Sequence, residues 1–162
     1  MTENIVKTIG AVSVVGAAFF YGRIMVRELR RKIKLLSSFL EFVIFISENI
    51  EYFLKPIPDI IAEYRGEYLV ECGFIKEAVE RGLDCAWSKI SASVGGEAKE
   101  ILHGYFTAVG SGYADEEKRL SEYTIERLGR ILESERAAVA DREKIYRTVP
   151  VMLAASVVLI IF

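Results

Sequence analysis

Hydrophobic residues in the middle of the chain recur with the spacing of an α-helix, and no stretch alternates convincingly with the period of a β-strand. After Arg23, two stripes of apolar residues run along the surface of one predicted helix. They comprise Leu29, Ile33, Leu36, Leu40, Val43 and Ile50 in the first stripe and Leu35, Phe39, Phe42, Ile46 and Phe53 in the second. A helix with two apolar stripes is buried on more than one side. We therefore predict a long core helix that ends at the proline-containing segment 55–59.

Proline and glycine divide the following segment into several short predicted helices. Pro56, Pro58 and Asp59 form a turn, and Pro58 can occupy the first position of the next helix. The predicted short helices cover residues 58–64, 74–81, 83–91 and 97–109. Trp87 lies in the third of them, where a core position is more typical of tryptophan than a partner-facing one.

The last predicted helix begins after a Gly110-Ser111-Gly112 turn and has no clear stop before the C-terminus. Asp115 is its predicted N-cap, and the two glutamates that follow suit the positive end of the helix dipole. Pro150 is expected to bend this helix without ending it. The predicted fold class is therefore all-α. It is a helical bundle in which two long helices, continuous with short N- and C-terminal membrane segments, enclose several short helices.

The mean hydropathy of the whole chain is +0.27, and its apolar residues are concentrated at the two ends. Residues 8–21 carry no charge and would cover roughly 21 Å as a helix, short of the roughly 30 Å hydrocarbon core. Snorkelling of Lys7 and Arg23 would extend the usable span. Residues 148–162 form a second short apolar run. A cleaved signal peptide is the alternative for the first run, and a core helix is the alternative for the second.

We predict a membrane anchor at residues 1–26, a cytoplasmic helical domain at 27–147 and a second membrane segment at 148–162. Basic residues flank this domain on both sides. They are Arg23, Arg27, Arg30, Arg31, Lys32 and Lys34 near its start and Arg142, Lys144 and Arg147 near its end. Because basic residues favour the cytoplasmic side of a membrane, both termini are expected outside. The basic run at residues 23–34 could also bind anionic lipid headgroups.

The charge distribution argues against a nucleic-acid partner. The whole chain has a formal net charge of −2, and residues 48–101 hold six basic and eleven acidic side chains. An acidic surface repels the phosphate backbone, and no large basic patch compensates for it.

No group of residues predicts a catalytic, cofactor-binding or metal site. His103 is the only histidine and is expected to be a packing or surface residue. Cys72 and Cys85 are predicted to be reduced core residues, as is usual for two thiols in a cytoplasmic domain, and a single disulfide between them is the alternative. The adjacent carboxylates at 115–117 would point in different directions on a helix, which favours a capping role over cation binding. We therefore expect a protein that is not an enzyme and holds no cofactor.

The order of several short segments resembles the stage III sporulation protein AB family over essentially the whole chain. These segments are Glu48-Asn-Ile-Glu-Tyr52, Pro56-Ile-Pro-Asp-Ile-Ile61, Ala86-Trp87 and Gly110-Ser-Gly-Tyr-Ala-Asp115, followed by a long charged helix with an apolar tail. The chain departs from the family pattern at Ala114, where Ser or Thr is usual. It departs again at Lys118 and Arg119, where Gln is usual.

The resemblance implies a mother-cell membrane protein of endospore formers. It implies a scaffold in the secretion-like channel complex that joins mother cell and forespore, similar to the F-type platform proteins of type II secretion. Its expected partners are the membrane, other channel subunits, a cytoplasmic ATPase and further copies of itself. The alternative interpretation is a membrane-tethered helical adaptor or platform subunit of a secretion or pilus system outside sporulation.

Overall fold

A computed structural model describes residues 2–53 and 55–161, and these residues fall into two compact units. The first unit combines residues up to Arg31 with residues from Arg136 onward, and the second unit is Lys32–Glu135. The described residues form helices and no strands, so the all-α prediction is confirmed.

The helices are numbered in chain order. They are α1 (Thr2–Phe53), α2 (Ile57–Glu63), α3 (Glu67–Glu71), α4 (Phe74–Arg81), α5 (Leu83–Ile90), α6 (Gly96–Ala108) and α7 (Ala114–Ile161), with a short 3-10 helix at Ser91–Ser93 between α5 and α6.

The predicted helix boundaries agree with the structure to within about one residue. The predicted limits of α4 are those observed, α1 continues unbroken through Arg23, and α7 continues through Pro150. The short helix α3 was not predicted. It lies between Gly66 and Gly73, where the sequence has too few residues for a helical period to be visible.

Aromatic side chains form the core of the second unit. Phe39 on α1 is fully buried, and its ring centroid lies 5.1 Å from that of Phe74, 5.5 Å from that of Trp87 and 5.9 Å from that of Phe106. The predicted core position of Trp87 is confirmed, since its side chain is only 3% exposed. Phe39 therefore joins α1 to α4, α5 and α6 in one cluster.

Both predicted stripes of α1 contribute to this core within the second unit. The buried members are Leu35, Leu36, Phe39, Phe42, Val43, Ile46 and Ile50. Ile33 and Leu40 pack against them and are half-buried. Phe53, the last member of the second stripe, has a side chain outside the described part of the structure. The two-sided burial expected of a helix with two stripes is thus observed.

Within the first unit, the two long helices make a close contact at Gly22. A Cβ atom at this position would lie 2.5 Å from the carbonyl oxygen of Tyr146 and 3.8 Å from Cγ of Pro150. Proline has no N–H, so Pro150 cannot donate to the carbonyl four residues earlier, which is that of Tyr146. The carbonyl released by Pro150 therefore faces a glycine, and only a residue without a side chain allows this approach.

Among the residues that the structure describes, no helix has an apolar stretch long enough to cross a membrane. The predicted membrane segments at 1–26 and 148–162 include side chains outside that description, at 1–9, 11, 12, 14, 15, 18, 151, 153–155 and 157–162. The membrane segments and the three predicted domain limits therefore stay predictions.

Two predictions about individual residues are wrong. Cys72 and Cys85 are free but exposed. Cys72 is the residue that follows α3, and Cys85 lies on α5, whose buried residues are Leu83, Ala86 and Trp87. Asp115 is not an N-cap, because α7 already begins at residue 114 and Asp115 lies in its first turn.

Candidate interaction surfaces

The turn between α6 and α7 is held by a buried carboxylate. Glu117 is only 6% exposed, and its Oε1 accepts hydrogen bonds from the backbone N–H of Gly110 (2.8 Å) and of Gly112 (2.9 Å). Gly110 has a φ of +89°, a conformation that favours glycine. At Gly112 a Cβ atom would approach Glu116 Oε2 to 3.1 Å. The turn therefore depends on Glu117 and on the two glycines that it contacts.

A buried tyrosine lies close to this carboxylate. The Tyr105 hydroxyl lies 3.2 Å from Ser121 Oγ. Burial raises the pKa of Tyr105 well above its ordinary value, the Ser121 hydrogen bond opposes the rise, and the Glu117 carboxylate adds to it. Glu117 Oε2 is buried without a hydrogen-bond partner among the described residues. This polar cluster holds α6 against the start of α7.

The turn presents one large aromatic side chain to solvent. Tyr113 is 84% exposed, although it lies directly beside the turn that Glu117 holds. A tyrosine offers a large contact area with few rotatable bonds, and tyrosines are enriched at energetically important interface positions. The end of the second unit at the α6–α7 turn is therefore one candidate contact surface.

Two open grooves of the second unit form another candidate contact surface. One has a volume of about 770 Å³ and is lined by α5 and α6, with His103, Lys99 and Glu100 on its wall. The other has a volume of about 700 Å³ and is lined by α2, α4, α5 and α6. The two grooves share Asp84 and Thr107, so they are neighbouring parts of one surface, which we call the α5–α6 groove.

The two units carry charges of opposite sign. Residues 32–135 hold twelve basic and nineteen acidic side chains, a net charge of −7. The remaining residues hold nine basic and four acidic side chains, a net charge of +5. Each unit therefore favours a different kind of partner by long-range electrostatics.

The first unit contains a groove of about 600 Å³ lined with arginines. Arg23, Arg27 and Arg30 lie on its wall together with Phe19 and Tyr146. The Arg23 guanidinium lies 5.5 Å from the centroid of the Phe19 ring, and Arg30 Nη2 donates to both carboxylate oxygens of Glu143 at 2.7 and 3.0 Å. We call this feature the arginine groove.

The sequence model of the family described as stage III sporulation protein AB matches residues 7–162 of the chain. The chain belongs to the stage III sporulation protein AB family. Comparison with curated proteins and with solved structures gave no match. The predicted family is thereby confirmed over nearly the whole chain.

In this member of the stage III sporulation protein AB family, the predicted topology residues are divided between the two units. Arg23, Arg27, Arg30 and Arg31 belong to the first unit, as do the exposed Arg142 and Lys144. Lys32 and Lys34 belong to the second unit, where Lys34 Nζ lies 5.3 Å from the centroid of the Tyr68 ring. The side chain of Arg147 lies outside the described part of the structure.

The predicted turn residues lie at two separate places in the family member's second unit. At the start of α2, the carbonyl oxygen of Pro56 accepts hydrogen bonds from the N–H groups of Asp59 (3.0 Å) and Ile60 (3.2 Å). Because α2 begins at Ile57, Pro58 is its second residue and not its first, as was predicted. Gly110 and Gly112 lie together at the α6–α7 turn, with exposed Asp115 after them.

The capping function of Glu117 was missed by the sequence prediction. A carboxylate seven residues after Gly110 is a weak signal, because it acts through tertiary geometry instead of a helix-cap pattern. His103 is exposed on the wall of the α5–α6 groove. Among the described residues, no group of His, Cys, Asp or Glu is arranged to hold a metal ion.

Proposed function

We propose that this family member is a membrane-anchored scaffold of the secretion-like channel complex between mother cell and forespore, and that it docks a cytoplasmic ATPase. Membership of the stage III sporulation protein AB family carries the sporulation role. The scaffold, channel and docking roles are the parts that we propose. On this proposal the chain needs no catalytic activity of its own.

The membrane part of the proposal rests on the sequence. The apolar runs at 8–21 and 148–162 would anchor the chain, with both termini outside and the second unit in the cytoplasm of the mother cell. The basic side chains of the first unit support this orientation, since five of them, Arg23, Arg27, Arg30, Arg31 and Arg142, lie close to those runs in the sequence. Flotation of the full chain with lipid vesicles after a carbonate wash tests the anchor. Release of the intact chain would contradict it.

The docking part of the proposal concerns the second unit. Its net charge of −7 would attract a basic surface, and the α5–α6 groove offers a concave site with Asp84 and Glu100 on its walls. Both carboxylates are exposed, and neither is used in the core of the unit. A basic face of the motor subunit is the partner that this surface would suit.

Capture of the ATPase by the full chain tests the docking proposal. The variant Asp84→Lys with Glu100→Lys is compared with the matched variant Glu133→Lys with Glu135→Lys, which reverses two exposed charges on α7 of the same unit. We expect the groove variant to capture at least about tenfold less ATPase, with the matched variant near wild type. Equal loss in both variants would assign the effect to net charge and would exclude the groove as the docking site.

The sporulation role is tested in the cell. Deletion of the gene should lower the number of heat-resistant spores without slowing vegetative growth. The groove variant should restore fewer spores than the matched variant at the same protein level. Normal spore numbers in the deletion strain would contradict the assigned role.

A further inference from the structure

The first unit combines a cationic groove with an exposed apolar surface. Arg23, Arg27 and Arg30 follow one another at helical spacings of four and three residues, so they share one face of α1 and line the arginine groove together. Arg30 is held in place by Glu143. Arg27 is exposed and has no acidic partner among the described side chains, so its guanidinium is available to an anion.

Exposed apolar side chains are concentrated in this same unit. Seven of the eleven large hydrophobic side chains that are exposed in the described structure belong to it, and each is at least 44% exposed. They are Phe19, Phe20, Tyr21 and Ile24 on α1 and Ile145, Val149 and Met152 on α7. Soluble surfaces rarely group so many large apolar side chains, and such groups mark sites of interaction with apolar partners.

The arginines and the apolar side chains follow one another along the helix pair. On α1 the exposed aromatics at 19–21 precede the arginines at 23, 27 and 30. Gly22 and Tyr146 bring the two helices together at the boundary between these two zones, and Pro150 also lines the groove there. A ligand that fills the groove would therefore meet guanidinium groups at one end and apolar side chains at the other.

We propose that the arginine groove binds the phosphate headgroup of an anionic phospholipid, with the acyl chains lying along the apolar side chains of the first unit. This inference rests on the proposed membrane association and names the lipid class that the first unit would select. Guanidinium groups pair with phosphate oxygens through bidentate hydrogen bonds. A free phosphate ion would leave the apolar surface unused, and an apolar ligand would leave Arg27 unpaired.

Native mass spectrometry of the full chain in a non-ionic detergent tests this inference. The probes are dioctanoyl phosphatidylglycerol, dioctanoyl phosphatidylcholine and inorganic phosphate. The variant Arg23→Gln with Arg27→Gln is compared with Arg142→Gln with Lys144→Gln, which removes two exposed charges from the same unit outside the groove. We expect phosphatidylglycerol to bind wild type at least about tenfold more tightly than either other probe. We expect the groove variant to weaken that binding about fivefold per arginine, or about 25-fold, and the matched variant to leave it within about twofold.

Several results would overturn the inference. Equal binding of inorganic phosphate would indicate a simple anion site, and equal losses in both variants would indicate diffuse attraction to anionic lipid. A change of oligomeric state in the groove variant would indicate that a second copy occupies the groove. Flotation with neutral phosphatidylcholine vesicles separates the two proposals. If the chain floats but the groove variant still binds phosphatidylglycerol as wild type does, only the lipid site fails. If the chain does not float, the membrane proposal fails and the lipid site fails with it.

Discussion

Removal of the Glu117 carboxylate should loosen the α6–α7 turn and destabilise the second unit. Glu117→Ala removes two hydrogen bonds to a charged acceptor, which contribute roughly 1.5–3 kcal/mol each in favourable cases. Two features reduce the sum. Gly110 and Gly112 are exposed, so water can solvate their freed N–H groups, and burial of the partnerless Oε2 already costs part of the gain. We therefore expect a loss of about 2–3 kcal/mol in the free energy of unfolding.

Urea unfolding of the full chain measures this loss through Trp87 fluorescence. Trp87 is the single tryptophan and is buried in the second unit, so its emission reports the unfolding of that unit. Glu117→Gln keeps an acceptor at the same place and should lose only about 1 kcal/mol, since the two bonds become neutral. Glu116→Ala is the matched control at an exposed neighbour, and it should stay within about 0.5 kcal/mol of wild type. If Glu117→Ala unfolds like Glu116→Ala, Glu117 does not hold the turn.

Three further predictions concern the core, the helix contact and acid stability. Phe39→Ala should lower the free energy of unfolding by about 3–5 kcal/mol in the same urea assay, because Phe39 is fully buried among three rings, whereas Tyr123→Ala at an exposed position should change it little. Gly22→Leu should separate α1 and α7 by about 1 Å, since a carbon atom normally stays at least about 3.3 Å from a carbonyl oxygen. Faster tryptic cleavage of the first unit, with Trp87 emission unchanged, would show this. Gly16→Leu is the control, because among the described residues nothing outside the neighbouring helix backbone lies within 4 Å of the added Cβ. The hydrogen bond from Lys89 lowers the pKa of Glu77 below its ordinary 4.5. The ionised Glu77 side chain therefore stabilises the fold at pH values above its unfolded pKa, and this stabilisation is lost as the pH falls through the lowered folded pKa. Wild type should therefore lose more stability than Lys89→Met between pH 6 and pH 3. Equal losses in the two proteins would show that the Lys89–Glu77 pair does not contribute to the acid sensitivity.

Hydrophobic periodicity was sufficient to predict most of the helices. The stripes of α1 could be identified because each stripe repeats over several turns, and the limits of α4 could be identified because Gly73 and Gly82 bound it. The same rule failed for α3, which is only five residues long. Burial of Trp87 could be predicted because a large apolar side chain favours a buried position in most local environments.

The side chains that depend on a specific neighbour were not predictable in this way. Cysteine is a residue type typical of protein cores, but the exposure of Cys72 and Cys85 depends on which face of a short helix is turned inward. Asp115 is a residue type typical of N-caps. Glu117 nevertheless accepts the hydrogen bonds from the N–H groups of the turn, because the backbone of residues 110–112 folds back onto its carboxylate. The spacing of residue types along the sequence does not indicate where the backbone folds back onto a later side chain.

The sequence by itself determined the helical class, the order of the helices, the apolar ends and the family, because each of these depends on local spacing or on the order of segments along the chain. Only the tertiary structure decided how Pro150 and Gly22 meet, which arginines share a groove, and which carboxylate closes the α6–α7 turn. These features join residues up to 128 positions apart, as from Gly22 to Pro150, and such distances are set by packing in three dimensions.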